Sequence, residues 1–125
     1  MDVVDATLQD FGNTLGIPSL AFNEKGLLEL VIERVGTLCI EKTDGLIVLY
    51  LLRPLSYPNL ETFKKALAFC HPKEKPEIPV SAGMTSAEEL VFISHLHLST
   101  FTIPNLEASI EVLKNLHNRI ANLAK

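Results

Sequence analysis

The chain has only two cysteines, Cys39 and Cys70, far apart and without metal-like spacing. A zinc knuckle needs ligands paired a few residues apart, so none is expected. Two buried thiols in a reducing compartment are preferred here to a Cys39–Cys70 disulfide. No apolar run reaches about 18 residues, the length a helix needs to cross a bilayer. The opening Met1-Asp2-Val3-Val4-Asp5 has no basic region ahead of an apolar run, so a signal peptide is not expected. These absences together predict a cytoplasmic protein with no membrane insertion. Basic residues are few as well: 11 Lys and Arg against 15 Asp and Glu give a formal net charge of -4. No basic stripe offsets that balance, which argues against nucleic acid and anionic membrane surfaces as partners. None of the six glycines stands in a phosphate-cradling frame, and no Gly-x-Ser-x-Gly elbow occurs. No catalytic residue, cofactor or bound metal is therefore expected.

Apolar residues, in contrast, are plentiful. They make up 47% of the 125 residues against 21% charged, which predicts one globular domain over 1–125. The chain is organised around Gly26–Leu52. Three apolar runs of strand length are cut there by Gly36 and by Asp44-Gly45. Asp-Gly between apolar runs is a strong hairpin signal, because both residues tolerate positive φ. The first two runs alternate: Leu28, Leu30 and Ile32 share one face, with Glu29 and Glu33 opposite, and Leu38 and Ile40 face away from Cys39 and Glu41. The third, Leu46–Leu52, is apolar on both faces, so it is either buried on both or awaits a partner.

Around this meander the periodicity predicts three helices. The first covers Asp2 to Leu15, with Val4, Leu8, Phe11 and Leu15 as its stripe, an aspartate cap, and a stop at Gly16 and Pro18. Ser19–Phe22 reads as a short extended segment leading into the meander. A second helix opens at Ser56–Glu61 with Pro58 in its first turn. Its stripe is Leu60, Phe63, Leu67 and Cys70, widened by Ala66 and Phe69. A proline-rich loop, Pro72–Pro79, then leads to a short strand over Val80–Met84. A longer strand covers Leu90–Leu98, with Leu90, Phe92, Ser94, Leu96 and Leu98 on one face and Val91, Ile93, His95 and His97 on the other. The last helix runs from Pro104 to Leu123 on Leu106, Ile110, Leu113, Leu116 or His117, Ile120 and Leu123. The order helix, three-strand antiparallel meander, helix, two strands, helix defines an α+β fold with an antiparallel sheet.

Candidate chemistry is thin. His95 and His97 lie at i, i+2 on a strand, so both rings face one way, as some metal sites begin. The third ligand is missing, and two half-buried histidines on a polar face account for the pair more simply. Cys70 and His71 are helix neighbours about 100° apart and do not face each other. What stands out is apolar surface: Phe11, Leu15, Leu20, Phe22, the outer side of Leu46–Leu52, and Val91 with Ile93. On an acidic domain, contiguous apolar surface usually marks a protein interface; the alternative is that the helices cover it all.

Three stretches carry a resemblance to a known family: Leu8–Gly26 with its Leu15-Gly16-Ile17 break, Asp44–Leu52, and Leu90–Leu98 followed by Asn105-Leu106-Glu107. In their order and spacing, with the chain's size and acidity, the sequence resembles the class I chaperones of bacterial type III secretion, the small acidic proteins related to the Tir chaperone. The Pro72–Pro79 loop, rich in proline and lysine, and the two strand histidines depart from the pattern. The resemblance implies a non-enzymatic virulence chaperone of dimeric fold. It would bind the N-terminal segment of a secreted effector in extended form, partly by strand addition to sheet edges, keeping it soluble and secretion-competent without ATP. It implies an effector-binding patch at Leu8, Phe11, Leu15, Leu20, Phe22, Leu28 and Leu30, and a dimer contact at Leu60, Phe63, Leu67 and Val80. A homodimer is expected, and a heterodimer with a related chaperone stays open. The alternative reading is a small-ligand or metal-binding α+β domain or enzyme using His95 and His97.

Overall fold

The computed structural model describes residues 2–55, 60–74 and 78–123. Its first helix, α1 (Val3–Thr14), starts where Asp2 caps it. One Asp2 carboxylate oxygen accepts the Asp5 amide at 2.8 Å, and the other meets Lys42 Nζ at 3.0 Å. The backbone bond first, and then Lys42, hold this carboxyl below the usual carboxylate range. Val4, Leu8 and Phe11 are buried along one stripe, whereas Leu15 falls just past the helix end and is exposed. The helix closes with Gly16 at φ +76, the Gly16 amide returning to Asn13 and the Ile17 amide to Gly12 at 2.8 Å. That return is why residue 12 is glycine: a Cβ there would lie 2.6 Å from the Ile17 carbonyl oxygen and 2.6 Å from Leu20 Cβ. The following segment turns at Pro18-Ser19 and then runs without strand pairing to Asn23.

The meander forms as the punctuation predicts. Strands β1 (Leu27–Ile32), β2 (Gly36–Thr43) and β3 (Leu46–Pro54) pair antiparallel, with Thr43 opposite Leu46 across Asp44-Gly45. Helix α2 (Leu60–Phe69) follows, then a 3₁₀ turn at Pro72–Glu74, strands β4 (Ser81–Met84) and β5 (Glu89–His97), a 3₁₀ turn at Leu98–Thr100, and α3 (Ile103–Leu123). The α2 start at Pro58 and the centre of the proline-rich loop, 75–77, lie outside the described residues. The strands make one five-stranded sheet in the order β1-β2-β3-β5-β4, so β1 and β4 are its edges.

The alternation separates two sheet faces. On the inner face Leu38, Ile40, Leu49, Leu51, Leu90 and Phe92 are buried and join one core with residues of the three helices. Ser94 on this face is buried, and its hydroxyl donates to the Pro79 carbonyl at 3.2 Å. From α3, Leu106, Leu113, Leu116, His117 and Ile120 are buried. Both His117 and Leu116 therefore serve the stripe, while Leu123, expected to belong to it, is exposed. Leu98, expected on the last strand, sits in the 3₁₀ turn and is exposed. The outer face answers the question posed by β3: Val48, Leu52 and Ile93 are only half-buried and none joins the core.

Helix α2 corrects the sequence reading in one respect. Phe63, Ala66, Phe69 and Cys70 pack on the core, but Leu60 and Leu67 are 65% and 45% exposed. The expected single stripe merges two faces: residues 60 and 67 lie two turns apart on one line, turned away from the line that carries Ala66 and Phe69. The Arg119 guanidinium from α3 covers the Phe69 ring, 3.8 Å from its centroid.

Candidate functional site

The β1 edge follows from local hydrogen bonding. The Gly26 carbonyl accepts the Lys42 amide at 2.8 Å, so by alternation Leu28, Leu30 and Ile32 also turn their backbone groups toward β2. Leu27, Glu29 and Val31 turn theirs away from it. Asn23 closes the first of these rungs: the Leu27 amide donates to Asn23 Oδ1 at 3.0 Å, and the Asn23 amide donates to the Leu27 carbonyl at 2.8 Å. Among the described residues the rungs at Glu29 and Val31 remain open, since β1 is the sheet edge. Val31 is 80% exposed on the outer face.

Beside the end of this edge, on the inner face, lies a groove of about 330 Å³. Phe11 and Thr14 of α1, with Leu15 just past its end, form one wall, and Ile32 with Val35 close the strand side. The opposite wall is the α3 line Glu107, Ile110, Glu111 and Lys114, spaced as one helix face. Leu15 is 41% exposed at the mouth. Lys114 Nζ pairs with a Glu111 oxygen at 2.9 Å. The turn bearing Val35 is held from behind: Arg53 Nε donates to the Val35 carbonyl, and another guanidinium nitrogen donates to Asn118 Oδ1 at 2.8 Å. Burial lowers the Arg53 pKa.

The seven residues expected to bind effector do not share one environment. Leu8, Phe11 and Leu20 are buried; Phe11 also lines the groove, while Leu8 and Leu20 support it from within. Phe22, Leu28 and Leu30 are half-buried against the core, and Leu15 is the most open. Ile32, Val35 and Ile110 also line the groove and lie outside that expected set. Each looks in sequence like an ordinary strand or stripe residue, and only the fold brings the three segments together. Of the dimer set, Leu60 and Leu67 are exposed on α2, whereas Phe63 and Val80 are half-buried against the core.

The remaining candidates are chemically quiet. The rings of His95 and His97 meet edge to face with centroids 6.1 Å apart. Among the described residues no three of His, Cys, Asp and Glu group as a metal site would require. His71 Nδ1 accepts the Lys73 amide at 3.1 Å rather than facing Cys70, and burial pushes the Cys70 thiol pKa up, away from a reactive thiolate. Burial likewise raises Cys39, helped by Glu29 and Glu89. On the outer face the Tyr50 hydroxyl donates to Glu41 at 2.9 Å; burial first, then that carboxylate, raises its pKa. No helix among the described residues is long and apolar enough to cross a membrane.

Three helices on one face of a five-stranded antiparallel sheet, joined in this order, define the fold of the type III secretion chaperones. The chain superposes on the structure of an ExsC–ExsE complex with a TM-score of 0.76, at 16% identity, covering 92% of this chain and 90% of that one. A HopA1–SchA chaperone–effector complex gives a TM-score of 0.71 at 14% identity, covering 94% and 96%. The family model for the type III secretory system chaperone SycN matches residues 3–121, and the chain belongs to that family. It is 26% identical over 121 residues to the chaperone protein SycN of Yersinia enterocolitica, spanning 96% of this chain and 98% of that protein.

Proposed function

We propose that this type III secretion chaperone holds the N-terminal segment of one secreted effector in extended form at the β1 edge and the adjoining groove, in the bacterial cytoplasm and without ATP. The observation that carries the reading is the juxtaposition itself: two open backbone rungs at Glu29 and Val31 run toward an apolar groove of about 330 Å³. An extended segment adding to an edge gains backbone hydrogen bonds, and its alternate side chains point to one face. Those pointing inward pass Leu28 and Leu30 toward the groove at Leu15, Phe11 and Ile32. Burying three or four large apolar side chains supplies roughly 5–10 kcal/mol before ordering costs. The HopA1–SchA chaperone–effector complex shares this fold, which favours an effector as the ligand.

Residues 1–125 act in this reading as one domain that dimerises. Leu60 and Leu67, exposed two turns apart on α2, are the surface from which the contact is built, with Phe63 and Val80 beneath it. A homodimer is the simplest assembly, and a related chaperone could fill the partner's place. The test is co-purification from the native cell with identification of the bound protein. A single secreted protein retained by the wild type and lost from Leu15→Glu supports the reading; retention by Leu15→Glu as well sinks the assigned patch. Sedimentation tests the dimer, which a mass of 13.8 kDa for the pure protein would exclude.

A further inference from the structure

The groove has a rim whose charge does not balance. Glu107, Glu111 and Lys114 stand on one line of α3 above the apolar lining. Lys114 is taken by Glu111 at 2.9 Å, and Glu107 makes no ion pair among the described residues. Glu107 and Glu111 are also four residues apart, a like-charge spacing that is unfavourable on a helix. One lysine stands against two carboxylates and pairs with Glu111, leaving the mouth with an excess negative charge.

We propose that the segment docked in this groove carries a lysine or arginine beside its apolar anchor, and that Glu107 is the residue that selects for it. The proposal rests on the binding mode above and adds the chemistry of the ligand. An apolar side chain that fills the groove covers its mouth and strips water from the rim. A carboxylate losing water without gaining a partner opposes docking. A cation on the incoming segment turns that penalty into a charge-assisted hydrogen bond, and an acidic residue at the same place makes it worse. Discrimination then comes as much from rejecting neutral and acidic segments as from attracting basic ones. The chain's formal net charge of -4 acts in the same direction at longer range, steering basic segments toward it.

The test uses a random dodecapeptide library displayed on phage and panned against the purified protein. The expected result is enrichment of sequences with a large aliphatic or aromatic residue and a Lys or Arg within about two positions of it. Glu107→Lys should reverse the preference to Asp or Glu and weaken the wild-type peptides at least tenfold, while Leu15→Glu abolishes enrichment. Glu74→Lys makes the same charge change at an exposed site outside the groove and should leave the preference unaltered; circular dichroism verifies that each variant is folded. Enrichment without a basic bias overturns the proposal. So does a bias that survives Glu107→Lys, a bias lost equally in Glu74→Lys, or no enrichment above an empty-well control. A protein that still brings its effector out of the native cell while showing no basic preference refutes this selection and leaves the chaperone function standing.

Discussion

His117 on α3 donates its Nε2 hydrogen to the carbonyl oxygen of Leu51 on β3 at 2.6 Å, and its ring meets that of Phe92 edge to face at 4.8 Å. A polar ring thus pins the longest helix to the central strands from within the core. Burial is the main reason its pKa falls to about 4; the Leu51 bond opposes that fall and the Arg53 charge assists it. The folded state keeps this ring neutral, whereas the unfolded chain protonates it near the ordinary value of 6.5. The associated stability is therefore fully present above pH 6.5 and is lost as pH falls toward 4. Linkage puts the loss at about 2 kcal/mol by pH 5. Urea unfolding at pH 7 and pH 5 should show it, and His117→Gln should remove most of the difference. A wild-type stability that is flat across that range would contradict the buried neutral ring.

Gly12 offers a contest between two effects of known size. Alanine favours a helix over glycine by about 1 kcal/mol. Here the added Cβ would meet the Ile17 carbonyl oxygen at 2.6 Å, and that oxygen belongs to the backbone of the helix stop. Steric displacement should win, so Gly12→Ala should destabilise the protein by about 1–3 kcal/mol, as thermal or urea unfolding will measure.

Leu8 and Leu15 share a helical stripe but not a role. Leu8 is fully buried, and Leu8→Ala should cost about 2–5 kcal/mol of stability. Leu15 is exposed, and Leu15→Glu should change stability by no more than about 0.5 kcal/mol. Effector retention should fall in Leu15→Glu without any loss of fold. Paired unfolding and pull-down measurements separate the two outcomes.

The β1 edge makes a prediction for the isolated protein. Amide exchange at Leu27 should be slow, because Asn23 Oδ1 accepts that hydrogen at 3.0 Å. Exchange at Glu29 and Val31 should be fast. Asn23→Ala should release Leu27 to exchange like its two neighbours and cost about 1 kcal/mol. Equal protection at all three positions in the wild type would mean that the edge is covered.

On α2, Leu60→Asp with Leu67→Asp should convert a sedimenting dimer to a species of 13.8 kDa. Both side chains are exposed in the single chain, so no cavity or buried charge is created within the protomer. An unchanged dimer mass would move the interface elsewhere.

Much of the fold was legible because the sequence marks its boundaries strongly. Asp44-Gly45 located the hairpin, Asp2 and Gly16 bounded α1, and the alternation in Leu28–Ile32 and Leu90–Leu96 assigned sheet faces correctly. The α2 stripe was harder, since apolar residues occur on two lines of that helix and periodicity cannot say which is covered. The site was legible only in part. Leu15 and Phe11, which line the groove, stand out in the sequence as part of the apolar excess near the first helix. Ile32, Val35 and Ile110 look like any other core residues, and Glu107 like any solvated charge. What makes them a groove is that β1 takes the sheet edge while α1 and α3 pack side by side, a relation between distant segments that local patterns do not encode.

Asn23 closes one rung of the β1 edge and leaves two open, which sets how a docked strand would come off. Backbone bonds lying side by side along an edge all resist together when the strand is dragged lengthwise. Lifted from one end, they yield one after another. A seam of two rungs with a fixed stop at Leu27 and a few side chains seated in turn toward its far end is short enough to be peeled in a few small steps. A translocation machine that draws a polypeptide away from one end would meet each holding contact singly, so a grip firm enough for storage need present no single large barrier to release.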